Sequence, residues 1–341
     1  MVPANGVQGI DRAADNRCVT PPRLVLAGQR CFVTARAVGR MFKFVPRREV
    51  VRLFEYVFAL AATRHGMQVH EALCMSNHFH LVMTDVEGRM PEFMRYFDSL
   101  LARSLNAMRG SSGSVFEKKP GRVEVTDDEK TIESAVYTLA NPCAANLVRR
   151  SRQWPGFSTL RMAYGEVKVI ERPKLGLWKR AQQKVERGRT RGRSRKRASY
   201  QGKPSVLPER VELRLVRPPV FARMSDAQLR AEVLRRLDAR ELELIAARRE
   251  RGLEVLGAAK VMAQPWYGFP GRPEDLFGTE PSVSGRSKWA RIEALQRRAE
   301  FEAAYARARA QFLAGIRDVV WPAGTWLMRV CYGLPCETSP P

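Results

Sequence analysis

Two short stretches of this chain carry residue types able to handle a phosphate group. In Met75-Ser-Asn-His78-Phe79-His80-Leu-Val-Met-Thr84 two histidines stand two residues apart, and the whole chain of 341 residues has only four. Side chains alternate across a strand, so His78 and His80 project from one face while Phe79, Leu81 and Met83 take the other. Two surface histidines on an exposed sheet face are the plain alternative. The second stretch runs from Tyr137 to Asn141, which share one helix face at i and i+4; Tyr137 sits off the Ile132, Val136, Leu139 stripe, and Glu133 shares its face. If this helix packs beside the histidine strand, two imidazole nitrogens and the Asn141 oxygen are able to hold a divalent ion, with positions left for phosphate oxygen and water. Partly open, oxygen-rich coordination favours Mg²⁺ or Mn²⁺, although imidazoles also suit Zn²⁺, Ni²⁺ or Co²⁺. A phenol, with an ordinary pKa of about 10, is a weak nucleophile at neutral pH and needs a phosphorus polarised in this way. The product is a covalent phosphotyrosine. It conserves the energy of a phosphodiester, which suits cutting and rejoining DNA better than hydrolysis.

The elements that must position these residues are legible in outline. Cys31 to Arg36 suits a strand. From Val50 the apolar residues Leu53, Phe54, Val57, Phe58 and Ala61 follow a helical period. Met67 to Met75 and His78 to Asp85, separated only by Ser76-Asn77, read as an antiparallel hairpin. Pro91 opens a second helix with Phe93, Met94, Phe97, Leu100, Leu101 and Met108 inward, and Gly110 stops it. Thr126 and Glu129 make a capping-box pattern for a third helix, and Pro142 predicts its end or a bend at Asn141. The order predicts a layered α+β domain: an antiparallel sheet flanked by helices.

Charge narrows the partner. There are 59 Lys+Arg against 35 Asp+Glu, a formal net charge of +24, so a polyanion is expected. The 45% hydrophobic content supports a packed core around which that charge is arranged. The longest strongly apolar run, Val57 to Ala62, is too short to span a bilayer, and residues 1 to 18 show no secretory pattern, so no membrane and a cytoplasmic location are expected. The six cysteines include no Cys-x-x-Cys pair, which argues for reduced thiols and against a zinc finger. No phosphate-loop motif is present, so no nucleotide cofactor is expected. From Lys174 to Lys203 twelve Lys/Arg face the single acid Glu186. That stretch reads as an arm whose Arg187, Arg189, Arg191, Arg193, Arg195, Lys196 and Arg197 grip DNA phosphates, or as a plain solvated tether.

Four motifs in order carry a family resemblance: SNHFHLVM (76–83), GSVFEKKPGRVEV (113–125), YTLANPCAANLV (137–148) and WPGFST (154–159). Over roughly Gln29 to Tyr164 the chain resembles the REP-associated tyrosine transposases, a branch of the single-tyrosine HUH transposases. The resemblance implies an HUH, ferredoxin-like layered domain with His78 and His80 as metal ligands. It implies Tyr137 as the nucleophile forming a 5′-phosphotyrosine and Asn141 near the metal. Many single-tyrosine transposases have Gln one turn after Tyr, and the shorter Asn141 binds directly or through water. The implied substrate is single-stranded or hairpin-flanked DNA, and the implied state a monomer or homodimer.

Beyond the resemblance, Ser225 to Gly252 and Lys288 to Leu313 read as long basic helices. Residues 254–264 read as a short helix with Gly257 near its middle, and 319–330 as two short strands around Pro322-Ala323-Gly324. The expected organisation is an N-terminal extension (1–28), a catalytic domain (29–165), an Arg-rich linker (166–205) and a mostly helical, basic accessory region (206–341) that binds DNA. The competing readings are a domesticated, non-catalytic DNA- or RNA-binding protein and an HUH nickase of replication or plasmid transfer.

Overall fold

The computed structural model describes residues 22–117, 120–174, 207–221, 223–271 and 281–338. A strand β1 (Gln29–Arg36) leads to helix α1 (Arg48–Arg64), then to the hairpin β2 (Met67–Cys74) and β3 (His78–Asp85). Helix α2 (Met90–Arg109), strand β4 (Gly121–Val125) and helix α3 (Asp128–Ala144) follow. Strands β5 (Val167–Glu171) and β6 (Arg210–Arg214) flank the Arg-rich segment. The remainder holds α4 (Asp226–Glu250), α5 (Ala258–Ala263), β7 (Val283–Ser284), α6 (Lys288–Leu313) and α7 (Trp326–Tyr332). The main sheet has the order β2-β3-β1-β4-β7, antiparallel except for the parallel β4/β7 edge, and β5 pairs with β6 separately. The fold is therefore the expected α+β sheet flanked by helices.

Alternation along β3 sorts the layers. Phe79 lies against Phe54 of α1 and Phe97 of α2, with ring centroids 5.7 and 5.3 Å apart. Edge-on contacts such as Phe54–Phe97, at 5.4 Å and 87°, tie the two helices together. Each ring fully withdrawn from water contributes on the order of 1.5–3 kcal/mol. The even residues of β3 face α3 on the opposite side. Gly110, at φ 63, ends α2 in a left-handed turn that a Cβ would oppose.

Four local expectations change. Thr126 does not cap α3, because its N–H and hydroxyl both turn to the Ser284 carbonyl of β7; Asp127 caps instead, accepting from Lys130 N at 2.8 Å. The same carboxylate accepts from Ser287 N at 3.0 Å, where α6 begins. Pro142 lies inside α3, which runs two residues further and closes with Ala145 N donating to Asn141 O at 2.9 Å. Pro142 is buried in the helix, so packing holds this last turn although the proline lacks one helix hydrogen bond. Gly257 sits at the start of α5 rather than its middle, with φ 87. Residues 326–332 form helix α7 where a strand was expected; bridging stops at Thr325, which pairs with Leu24, and Trp326 Nε1 donates to Glu92 of α2.

The chain beyond residue 206 shares the core of the first half. Val211, Leu213, Leu215, Leu229, Val233 and Leu237 belong to the same buried cluster as α1 and the sheet. Glu71, fully buried on β2, accepts from Arg230 of α4 at 2.6 Å, from Thr159 Oγ1 at 2.5 Å and from Tyr164 Oη at 3.0 Å. Arg230 also donates to the Thr159 and Leu160 carbonyls at 2.9 and 2.6 Å. Gly285 lies so close to the α3 cap that a Cβ there would collide with Thr126 Oγ1 and Asp127 Oδ2.

Candidate active site

β1 pairs with β3 so that Thr34 lies opposite His80, Phe32 opposite Val82 and Arg36 opposite His78. Because both strands alternate, Phe32, Thr34 and Arg36 join His78 and His80 on the face that α3 covers. The imidazoles meet edge to face with centroids 4.7 Å apart, and Tyr137 stands over His80 at 5.5 Å. Phe32 stacks on His80 at 5.3 Å and meets Tyr137 edge-on at 5.8 Å. Tyr137 is 57% exposed and His80 only 4%, so the phenol is accessible while the ring beneath it is not. Two pockets of about 170 and 320 Å³ open side by side and share Thr34, Arg36, His80 and Tyr137.

The hydrogen bonds assign the imidazole protons. The Asn141 amide Nδ2, which only donates, lies 3.2 Å from His80 Nε2, so that nitrogen accepts. His80 Nδ1 therefore carries the proton and donates to Thr34 Oγ1 at 3.0 Å. Asn77 Oδ1, which only accepts, is 2.7 Å from His78 Nδ1, so His78 also carries its proton on Nδ1. Burial, with the charges of His78 and Arg36, holds His80 well below the ordinary histidine pKa and keeps it neutral at pH 7.

These residues fit a divalent ion. Metal-binding histidines characteristically donate their second N–H to a fixed oxygen, as both do here, which leaves the Nε2 lone pairs as the ligand atoms. In an octahedral site with bonds of about 2.1 Å, neighbouring ligand atoms are about 3 Å apart. That is close to the 3.2 Å between His80 Nε2 and the Asn141 amide nitrogen. Among the described residues no cluster of three His, Cys, Asp or Glu is found, so this donor set is two imidazoles and a neutral amide. Glu133 shares the Tyr137 face but is held by Lys130 at 3.2 Å and by Arg286. Burial alone would raise its carboxyl pKa; the bonds from Arg286 and Lys130 outweigh that and hold it below the ordinary value.

The structure thus brings together His78, His80, Tyr137 and Asn141. The arm residues Arg187, Arg189, Arg191, Arg193, Arg195, Lys196 and Arg197 lie outside the described residues. Sequence reading missed Thr34, Phe32 and Arg36, although the alternation of Phe32, Thr34 and Arg36 with buried Cys31, Val33 and Ala35 marks a strand with one functional face. It also missed Arg40, which lines the smaller pocket and holds a left-handed φ of 55°.

No protein-family description matches the sequence, and no curated protein matches it. The solved structures similar to this chain include the following two. One is a REP-associated tyrosine transposase bound to a REP hairpin, 14% identical, covering 41% of this chain and 82% of its own, with a TM-score of 0.34. The other, from Deinococcus radiodurans R1 and assigned as a transposase, is 15% identical, covers 36% of this chain and 97% of its own, and has a TM-score of 0.26.

Proposed function

We propose that this chain is a metal-dependent DNA strand transferase, a transposase that cleaves and rejoins single-stranded, hairpin-flanked DNA through Tyr137. The observation that supports this reading is the convergence of an exposed phenol, two Nδ1-protonated imidazoles and an amide from separate elements on one face. Tyr137 Oη attacks a backbone phosphorus, the P–O3′ bond breaks, and a 5′-phosphotyrosine and a free 3′ hydroxyl result. The phenolic proton passes to solvent, and the departing oxygen takes one up. Attack of a 3′ hydroxyl on the phosphotyrosine reverses the sequence and rejoins strands without another energy source.

His78, His80 and Asn141 would hold Mg²⁺ or Mn²⁺, which would neutralise phosphate charge as the phosphorus is attacked. All three donors are uncharged, so anionic DNA strengthens the site, and Arg36 and Arg40 at its rim attract the strand. His80 in its buried neutral form keeps the ligand lone pair at physiological pH, and Thr34 fixes its orientation. The mostly helical region beyond residue 206 supplies further basic surface for the same DNA, and the Arg-rich segment adds positive charge.

The test is to incubate wild type and Tyr137→Phe with end-labelled single-stranded hairpin DNA from the gene's flanks, with Mg²⁺ or EDTA, and to seek a covalent adduct on a denaturing gel. The adduct is expected only with wild type and metal. An adduct formed by Tyr137→Phe would remove Tyr137 from its role. Tight binding without cutting by wild type across several flanking hairpins would replace catalysis with a binding function.

A further inference from the structure

We propose that the α1/α2 side of the molecule carries a second oxyanion site, centred on His65, that grips a backbone phosphate of nucleic acid away from Tyr137. A groove of about 640 Å³ opens where the end of α1 meets α2, with Arg64, Arg89, Arg95 and Arg103 along its walls. Glu92, Tyr96, Ser99 and Arg103 follow one face of α2 at i, i+4, i+7 and i+11, with Arg95 beside them, so the floor is a rigid helix surface. The groove lies on the opposite face of the sheet from His80. It is also near the far end of β3, whose seven-residue rise from His78 to Asp85 is about 23 Å.

The charges in the groove are poorly balanced. Among the described residues its one lining carboxylate, Glu92, accepts from Trp326 Nε1. Arg89 has Glu87 at 3.5 Å, but Glu87 is well exposed and such pairs are weak. Arg64 stands over the Tyr96 ring at 4.8 Å, and Arg103 Nε donates to Ser99 O at 3.1 Å. Both contacts use part of a guanidinium and leave its positive charge in place.

His65 makes the groove a built site. It is 5% exposed, its ring meets Tyr96 edge-on at 5.6 Å, and among the described residues neither of its solvent-shielded ring nitrogens has a hydrogen-bond partner. Leaving such a group unpaired is costly, and a bound acceptor recovers that cost. Burial, with the charges of Arg89, Arg64 and Arg95, lowers the His65 pKa to about 4. At pH 7 the ring is neutral and offers one N–H donor without adding a further positive charge. With the ring turned toward the groove, a phosphate oxygen would accept from His65 while guanidiniums neutralise the anion, as in other charge-assisted phosphate contacts. The groove is larger than one inorganic phosphate requires and is open, which fits a stretch of backbone. The +24 net charge suits the same polyanion.

This site needs no cleavage chemistry, so its test stands apart from Tyr137. Arg64 and Arg103 are both exposed, so Arg64→Gln/Arg103→Gln leaves the core intact, and His65→Phe removes the N–H while keeping a ring. Anisotropy of a labelled DNA hairpin is measured for wild type and both variants between about 50 and 200 mM salt. Inorganic phosphate at constant ionic strength serves as competitor, and circular dichroism confirms folding. The double variant should bind about tenfold more weakly or worse, with a salt slope smaller by about two. His65→Phe should weaken binding without changing the slope by more than a fraction of one contact, and phosphate should compete with DNA in wild type. Unchanged DNA affinity and slope in both variants would overturn the proposal. Phosphate binding that both variants lose while DNA affinity holds would make this a free-anion site and overturn the nucleic-acid assignment. Absence of a covalent adduct from wild type, with both variants still weakening DNA binding as expected, would touch the proposed reaction alone.

Discussion

Replacing Arg230 by Met should destabilise the whole fold. Glu71 is fully buried and receives Arg230 Nη1 at 2.6 Å, while the other guanidinium nitrogen serves the carbonyls of Thr159 and Leu160. Removing one partner of a buried pair leaves a charge without compensation and typically costs about 3–5 kcal/mol. Here two carbonyls also lose a donor, which places the expected loss toward the upper part of that range. The pH dependence has a definite sign. Burial already raises the Glu71 pKa above its ordinary 4.5 and Arg230 opposes it, so the substitution raises it further. An acid whose folded pKa lies above its unfolded one favours the folded state at low pH, and that advantage is lost as pH rises through the folded value. The variant's deficit should therefore be smallest near its ordinary titration range and grow toward pH 8. Urea unfolding of wild type, Arg230→Met and Glu71→Gln/Arg230→Met at several pH values measures it, the double variant recovering much of the loss because no buried charge remains. A single-variant loss below about 1 kcal/mol, independent of pH, would refute the reasoning. The same contacts mean that a chain ended at Gly165 strands Glu71 and uncovers the surface packed against Val211, Leu213, Leu229 and Val233.

Thr34→Val removes the acceptor of the His80 Nδ1 proton, and loss of such a partner should weaken Mn²⁺ binding by about 10–100-fold. Mn²⁺ titration by electron paramagnetic resonance reads this directly, and an unchanged affinity would discard the assigned role of Thr34. His70 donates from Nδ1 to Val216 O at 2.7 Å and accepts at Nε2 from Thr84 Oγ1 at 2.8 Å. Burial and the Arg30 charge hold its pKa at about 4 against the Val216 bond. Stability tied to His70 is thus complete above its unfolded value of 6.5 and lost as pH falls toward 4, a span worth roughly 3 kcal/mol. His65, also at about 4, adds a slope of the same sign, whereas Asp98, raised by burial to about 7, adds one of opposite sign. The check is therefore the difference in urea midpoint between His70→Asn and wild type, which should shrink as pH falls from about 7 to 4; a constant difference would count against it.

Local periodicity carried much of the architecture. The hairpin around Ser76-Asn77, the Pro91-to-Gly110 helix and the 288–313 helix lie where apolar spacing and caps place them, because these signals act between near neighbours along the chain. The shared face of His78 and His80 follows from strand alternation, and that of Tyr137 and Asn141 from helical period. Two of the misses have a common origin in distance. Thr126 is diverted from its capping position by Ser284, and residues 326–332 become helical beside Glu92. Neither partner is near in the chain.

By itself the sequence determined which residue types share a face, where most helices begin and end, and that a polyanion is the expected partner. Those properties depend on covalent geometry, local hydrogen bonding and summed charge. Only the tertiary structure decided that β1 lies beside β3, so that Thr34 orients His80, and that α3 crosses the same face, so that Tyr137 and Asn141 meet it. It also decided that Arg230 neutralises Glu71 and that His65 is enclosed by arginines from two helices. These pairings join residues far apart in the chain through burial and charge, and many alternative pairings satisfy the same local pattern until the core excludes them.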